Sequence, residues 1–252
     1  MFSSRAFLPL VLTAIMLAAC LSLGTWQVQR LQWKQGLLAQ IEARRNAPPI
    51  SLHSADNVRR LTKSADNYRR ALLHGRLGAP QGFWFTQIHN APDGLPRQAH
   101  TGYHVLSPFI LADGSAILLD RGFVPAALKE TLAATPPAAD TGLQPLPVIL
   151  RWPDRRGRFD AKDKPQEGLF YVRDPQALGA HWQLALPPVI AEAAEAGNQA
   201  NSWPRGGQTR MSLSNRHLEY AVTWYGLAVV LVIVSGLWHM QRRNTKANGD
   251  AL

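Results

Sequence analysis

The chain has 252 residues and a formal net charge of +10, from 27 Lys and Arg against 17 Asp and Glu. Its single cysteine, Cys20, lies in the first apolar stretch, which excludes disulfides and the paired thiolates of a copper chaperone or dithiol redox protein from everything downstream. Arg5, Arg242, Arg243 and Lys246 are the only Lys and Arg outside residues 25–219, so the central region is itself basic; this suits anionic headgroups, an acidic partner or a ligand's carboxylates, and tethering at both ends argues against nucleic acid.

Residues 7–24 (FLPLVLTAIMLAACLSLG) carry no charge and are preceded by Arg5. They read as a first membrane span or an uncleaved signal anchor. Leu17-Ala18-Ala19-Cys20 has the form of a lipoprotein processing site, but the apolar run continues through Leu21 and Leu23, so cleavage would cut a span in half. A lipid-anchored periplasmic binding domain stands as the alternative. Residues 24–45 continue at helical period, with Leu23, Trp26, Arg30, Trp33, Leu37 and Ile41 on one face. That face serves either as a stalk anchored at the interface or, through Trp26, Arg30 and Trp33, as part of a site with the second span. Ala47-Pro48-Pro49 stops the helix.

Residues 51–66 are polar, without a strong pattern, and read as a linker. Strand-like segments follow at 68–77, 83–88, 103–111, 116–124, 146–152 and 168–172, separated by Gly, Pro, Asn and Asp. Asp93-Gly94 and Asp113-Gly114 are turn signals, the second a good hairpin candidate. Residues 126–139 are Ala/Pro-rich, a loop or short helix. Residues 174–182 open with Asp and Pro, a helix start, and 188–194 suit strand or helix.

Residues 221–238 again carry no charge, and Arg242, Arg243 and Lys246 follow at once. About 20 residues cross the hydrocarbon core, so this is a second span. Long loops translocate largely regardless of charge, so Arg5 and the cluster after the second span place both termini inside. The expected organisation is a first transmembrane helix (1–24), a membrane-proximal amphipathic helix (25–47), a linker (48–66), a periplasmic β-rich domain (67–211), a second transmembrane helix with the motif leading into it (212–240) and a cytoplasmic tail (241–252). The fold class is a membrane protein whose two terminal transmembrane helices flank a mainly antiparallel β (α+β) extramembrane domain. The short tail leaves no room for the output domain of a sensor kinase or chemoreceptor.

The sequence contains no nucleophile elbow, P-loop, dinucleotide Gly-rich turn or zincin motif. Among the eight histidines, His53, His74, His89 and His181 are isolated, His100 and His104 decorate a sheet face, and His239 is an interface residue at the far end of the second span. His217 differs, because it immediately precedes the membrane, with Tyr220, Ala221 and Trp224 at i+3, i+4 and i+7 on its face. Neutral imidazole is a good axial ligand to haem iron, and aromatic neighbours can flank a porphyrin; the alternative is an interfacial hydrogen-bonding histidine. Arg30, Arg210 and Arg216 could meet propionates or lipid headgroups. The cluster from Asp154 to Arg158 reads as a solvated loop.

Three stretches together resemble the Surfeit locus protein family, assembly factors for haem–copper terminal oxidases. LGTWQVQRLQWKQGLL (23–38) looks like the signature after that family's first span. Gly102-Tyr103-His104-Val105-Leu106-Ser107-Pro108, Asp113-Gly114 and Asp120-Arg121-Gly122-Phe123-Val124-Pro125 are similar to its central pattern. His217-Leu218-Glu219-Tyr220-Ala221-Val222-Thr223-Trp224-Tyr225 looks like its approach to the second span. Asp120 stands where the family usually has Asn, and Phe123 where it usually has Trp; they read as a β-turn residue and a packing residue. The resemblance implies a bacterial inner-membrane factor in cytochrome c oxidase assembly, binding haem a non-covalently and assisting its delivery to, or retention in, subunit I. Its implied partners are subunit I, the haem a synthesis machinery and membrane lipids. It implies His217 as the ligand to haem iron, with Trp26, Arg30, Tyr220 and Trp224 as further contacts. A cofactor-free scaffold for oxidase intermediates is the alternative.

Overall fold

The computed structural model describes residues 4–88, 100–135, 145–153, 156–195, 202–208 and 216–249, with side chains from 8 to 242 within those ranges. Asp93-Gly94, His89, Asp154, Arg155, Arg210 and residues 136–139 lie outside the described residues. The chain divides into two compact units, one of Met1–Gln40 with Ser212–Leu252, the other Ile41–Met211.

The first unit is a pair of helices. Helix α1 runs unbroken over Ser4–Asn46 and stops before Ala47-Pro48-Pro49; helix α6 runs over His217–Gly249. Both are long and apolar enough to cross a membrane. Their outward residues are large and apolar: Leu12, Ile15 and Met16 on α1, and Val222, Val229, Ile233 and Leu237 on α6, are each more than half exposed. Contiguous apolar surface of this kind is costly in water and natural in lipid. The residues buried in this unit are mostly small, Cys20 and Gly24 on α1 with Ala221 and Ala228 on α6. Small side chains at three- to seven-residue intervals let two helix backbones approach closely, the packing mode of helices that cannot rely on water to drive them together.

The second unit is built on a nine-stranded sheet: β1 (Ile50–Leu52), β2 (Arg70–Leu73), β3 (Gly75–Leu77), β4 (Gly82–Ile88), β5 (His100–Leu111), β6 (Ala116–Pro125), β7 (Leu146–Arg151), β8 (Leu169–Phe170) and β9 (Ile190–Ala193). The spatial order is β1-β2-β7-β9-β6-β5-β4-β8, with β3 on β5. The expectation of a mainly antiparallel sheet needs correction, because the sheet is mixed. β1 pairs β2, β4 pairs β8 and β6 pairs β9 in parallel. Turn signals reveal only the strands they join, whereas each parallel pair here joins strands distant in sequence.

The segment at 68–77 is likewise two strands. After His74 the chain changes partner, from β7 alongside β2 to β5 alongside β3. Because β2 and β3 are nearly continuous, the path β2-β7-β9-β6-β5-β3 closes a ring. Gly75 permits the crossing, since a Cβ there would lie 2.0 Å from the Ile110 carbonyl oxygen. The interior is filled by alternate residues: Ala71 and Leu73, Phe109 and Leu111, Ile117 and Leu119, Val148 and Leu150, Val189 and Ala191. This is the period-two rule of strands, and each fully buried Leu or Ile contributes about 1.5–3 kcal/mol. On the other sheet face, Leu106, Leu118 and Ile190 pack with Phe170 of β8 and Leu178 of helix α5 (Pro175–Trp182).

The hairpin at Asp113-Gly114 forms as expected, with Gly114 at φ 85° and the Asp113 carboxylate accepting from the Ser115 N–H at 3.0 Å. Asp174 caps α5, accepting from the Gln176 N–H at 2.9 Å. Residues 126–134 form a 3-10 turn followed by helix α4 (Lys129–Ala134). The expected linker holds β1 and two short helices, α2 (Ala55–Arg59) and α3 (Lys63–Asp66), each capped by a hydroxyl, Ser54 and Thr62. Helices of four and five residues are too short for a hydrophobic period to show.

Candidate functional site

Two constellations stand out, one in each unit. In the helix pair, His217 is the first residue of α6, and its Nδ1 lies 2.8 Å from Oε1 of Gln27 on α1. A carbonyl oxygen only accepts, so Nδ1 carries the proton and donates. In a neutral imidazole this is the Nδ1–H tautomer, which leaves the Nε2 lone pair available to a metal. One turn earlier on α1, Gly24 makes room for Tyr225, since a Cβ there would sit 2.9 Å from that ring. The Tyr225 hydroxyl meets Thr25 Oγ1 at 3.1 Å. His217, Ala221, Tyr225 and Ala228 thus form the stripe of α6 turned toward α1.

The five residues singled out by sequence are distributed around this junction unevenly. His217 is half-buried against α1 and Trp224 is half-buried one turn before Ala228. Tyr220 and Trp26 are each 53% exposed, on the outer shoulders of their helices. Arg30 lies one turn beyond Gln27, its guanidinium 4.0 Å above the Trp33 ring. Gln27, which orients His217, was not foreseen. Its signal was a polar residue one turn after Gly24, on the side of α1 opposed to neither water nor the aromatic stripe.

The second constellation is a buried ionic cluster in the sheet. Asp120, in the middle of β6 and 1% exposed, takes His104 Nδ1 at 2.8 Å and 2.9 Å on its two oxygens. Arg173, just before α5, donates to Asp120 at 2.9 Å and also to Glu192 of β9. Arg151 of β7 approaches Glu192 at 3.7 Å and lies 4.1 Å above the Tyr68 ring, while Arg173 lies 4.3 Å above Trp84. Two guanidinium groups balance two carboxylates, which is what makes burial of four charges tolerable. Burial pushes the Asp120 carboxyl up, but His104 and Arg173 outweigh it and hold the group below the usual carboxylate range. Burial likewise works against the charge of Arg173, and Glu192 and Asp120 more than offset it.

Asp120 is therefore not a turn residue, as its sequence neighbours suggested, but the hub of this cluster. Its Oδ1 also accepts the Gly122 N–H at 3.0 Å. His104 does lie on a sheet strand, yet it is buried and paired rather than decorating a surface. Phe123 is a packing residue, fully buried. The cluster pins the strand-to-helix segment carrying Arg173 onto β6 and β9, and its ion pairs act as a structural tie. Its members come from five separate stretches, so spacing could not reveal it. Asp120 and Glu192, charged residues inside apolar strands, were the only traces.

Comparison with known sequences gives a consistent result. The profile of the SURF1 family matches residues 14–229. The chain is 33% identical over 230 residues to Surfeit locus protein 1 of Rattus norvegicus, covering 88% of this chain and 71% of that one. It is 31% identical over 242 residues to Surfeit locus protein 1 of Homo sapiens, covering 92% and 77%. A SURF1-like protein of Monosiga brevicollis is 30% identical over 229 residues, covering 88% and 82%.

Proposed function

The chain belongs to the SURF1 family, and from that membership we propose that it is a non-enzymatic assembly factor for a haem–copper terminal oxidase, cytochrome c oxidase. In this reading α1 and α6 cross the bacterial inner membrane, both termini are cytoplasmic, and residues 41–211 face the periplasm. The protein binds haem a non-covalently and assists its delivery to, or retention in, subunit I, receiving it from the haem a synthesis machinery.

The observation that carries this reading is the 2.8 Å contact between His217 and Gln27. A haem ligand must present a neutral imidazole with a free nitrogen, and a hydrogen bond to the other nitrogen both fixes the tautomer and raises the basicity of the ligand. Gln27 supplies that bond from the facing helix. Trp224 and the exposed faces of Tyr220 and Trp26 offer aromatic surface to a flat macrocycle, and Arg30 offers a cation to its propionates. Haem iron is the cargo, and the chain supplies grip and orientation only.

Protein purified in detergent from cells that make haem a is expected to carry a Soret band, and His217→Ala is expected to lose it while remaining in the membrane fraction. Absence of pigment at any haem loading would leave only the cofactor-free scaffold. Resistance to carbonate extraction checks the two spans independently, and protease protection in spheroplasts checks the orientation.

A further inference from the structure

At the other end of the helix pair from His217, α1 and α6 flank a half-open cavity of about 180 Å³ between Pro9 and Thr13 of α1 and Leu231, Ser235, Trp238 and His239 of α6. His239 Nε2 is buried and, among the described residues, has no hydrogen-bond partner. A buried polar atom in that state is destabilising until something pairs with it. The Thr13 hydroxyl donates its proton to the Pro9 carbonyl at 2.9 Å and can only accept from a ligand, which leaves the imidazole and the Ser235 hydroxyl as the cavity's other polar groups. The Trp238 ring meets His239 edge-on at 4.9 Å, and Arg242 covers Trp238 at 4.0 Å.

His239 follows His217 by 22 residues, which on an α-helix is a turn of only about 40° and a rise of about 33 Å. The two imidazoles therefore share the α1-facing stripe of α6 and bracket a hydrocarbon core about 30 Å thick. An ionisable residue in such a position marks a site more often than an accident.

The lining specifies the ligand. Among the described residues the lining carries no charged side chain, so it offers hydrogen bonds and apolar contact rather than an ion pair. Its volume is about six times the ~30 Å³ that one water takes in the liquid, and below the ~300–1,000 Å³ of ordinary cofactor pockets, too small for a tetrapyrrole. Val234, one of its walls, is 58% exposed, so on the spanning reading of α6 the way in is from the bilayer. We propose that this cavity binds the head of a neutral bilayer molecule, a hydroxyl or carbonyl group on a hydrocarbon tail, through His239 Nε2 and Ser235. Two sources share that chemistry, a glycerolipid of the diacylglycerol type and an isoprenoid quinol.

The proposal rests on the membrane reading above and is independent of haem at His217. The test uses the full-length protein in phosphatidylcholine nanodiscs and two photoreactive probes, a diazirine-bearing diacylglycerol and an azido-decylbenzoquinol. One of the two is expected to label the peptide containing Trp238, to be competed by its own unlabelled parent, and to fall at least tenfold in His239→Leu. Labelling is expected to persist in His239→Gln, which retains a hydrogen-bonding group, and in His217→Ala. Circular dichroism verifies the fold of each variant, and Ser235→Ala, expected to lower labelling severalfold, serves if His239→Leu does not fold. Equal labelling in wild type and His239→Leu, or labelling spread along the outward faces without competition, overturns the site. Protein extracted by carbonate overturns the spans with it, whereas wash-resistant protein that takes neither probe overturns the site alone.

Discussion

Two side chains set the chemistry of this molecule, and each does so through a partner on another element. Asp120 is held ionised by His104 and Arg173, and removing it leaves the buried His104 Nδ1 without its acceptor and Arg173 with Glu192 alone. Asp120→Ala is expected to cost about 3–5 kcal/mol in chemical denaturation, and Asp120→Asn less, because an amide oxygen still accepts from the Gly122 N–H. The same ionisation gives a pH dependence. A carboxyl whose folded pKa is depressed contributes stability that is present above its unfolded value of about 3.9 and lost as pH falls through the folded value. Wild type is therefore expected to lose more stability than Asp120→Asn between neutral pH and pH 3. At the other site, Gln27→Leu removes the acceptor of His217 while leaving the imidazole in place. Partners of this kind are worth about 10–100-fold in metal affinity, so haem titration followed at the Soret band should show a weakening in that range without change in helix content.

At the level of elements, the helix pair depends on small residues more than on the aromatic stripe that the sequence displays. Gly24 lies against Tyr225, and any larger side chain must displace the ring. Gly24→Val is expected to destabilise the pair by about 1–3 kcal/mol and to shift the Thr25–Tyr225 contact, so pigment content should drop although every proposed haem contact is intact. The strands that a reader can see in the sequence, 83–88, 103–111, 116–124 and 146–152, correspond closely to β4, β5, β6 and β7, because alternation and turn residues are local signals. The break at His74, by contrast, follows from where β3 finds its partner on β5. A ten-residue strand-like segment carries no record of a change of neighbour.

For the whole molecule, the separation into two units has a direct consequence. Residues 41–211 have their own filled ring and ionic tie, while the helix pair is apolar outside and has almost no interior. A fragment spanning 41–211 is expected to be soluble and to unfold in one cooperative thermal transition followed by circular dichroism; a gradual, non-cooperative melt would mean that the ring needs its membrane helices. Charge placement and the two uncharged runs are properties of the chain, so they determined the two long helices, and the order of three short motifs pointed to the family. Only the tertiary structure decided that the sheet is mixed, that Asp120 is a hub, that Gln27 orients His217 and that His239 faces a cavity. Each of these is a meeting of residues distant along the chain, 190 positions apart for Gln27 and His217. Such meetings are settled by which strands and helices pack together, which local periodicity does not encode.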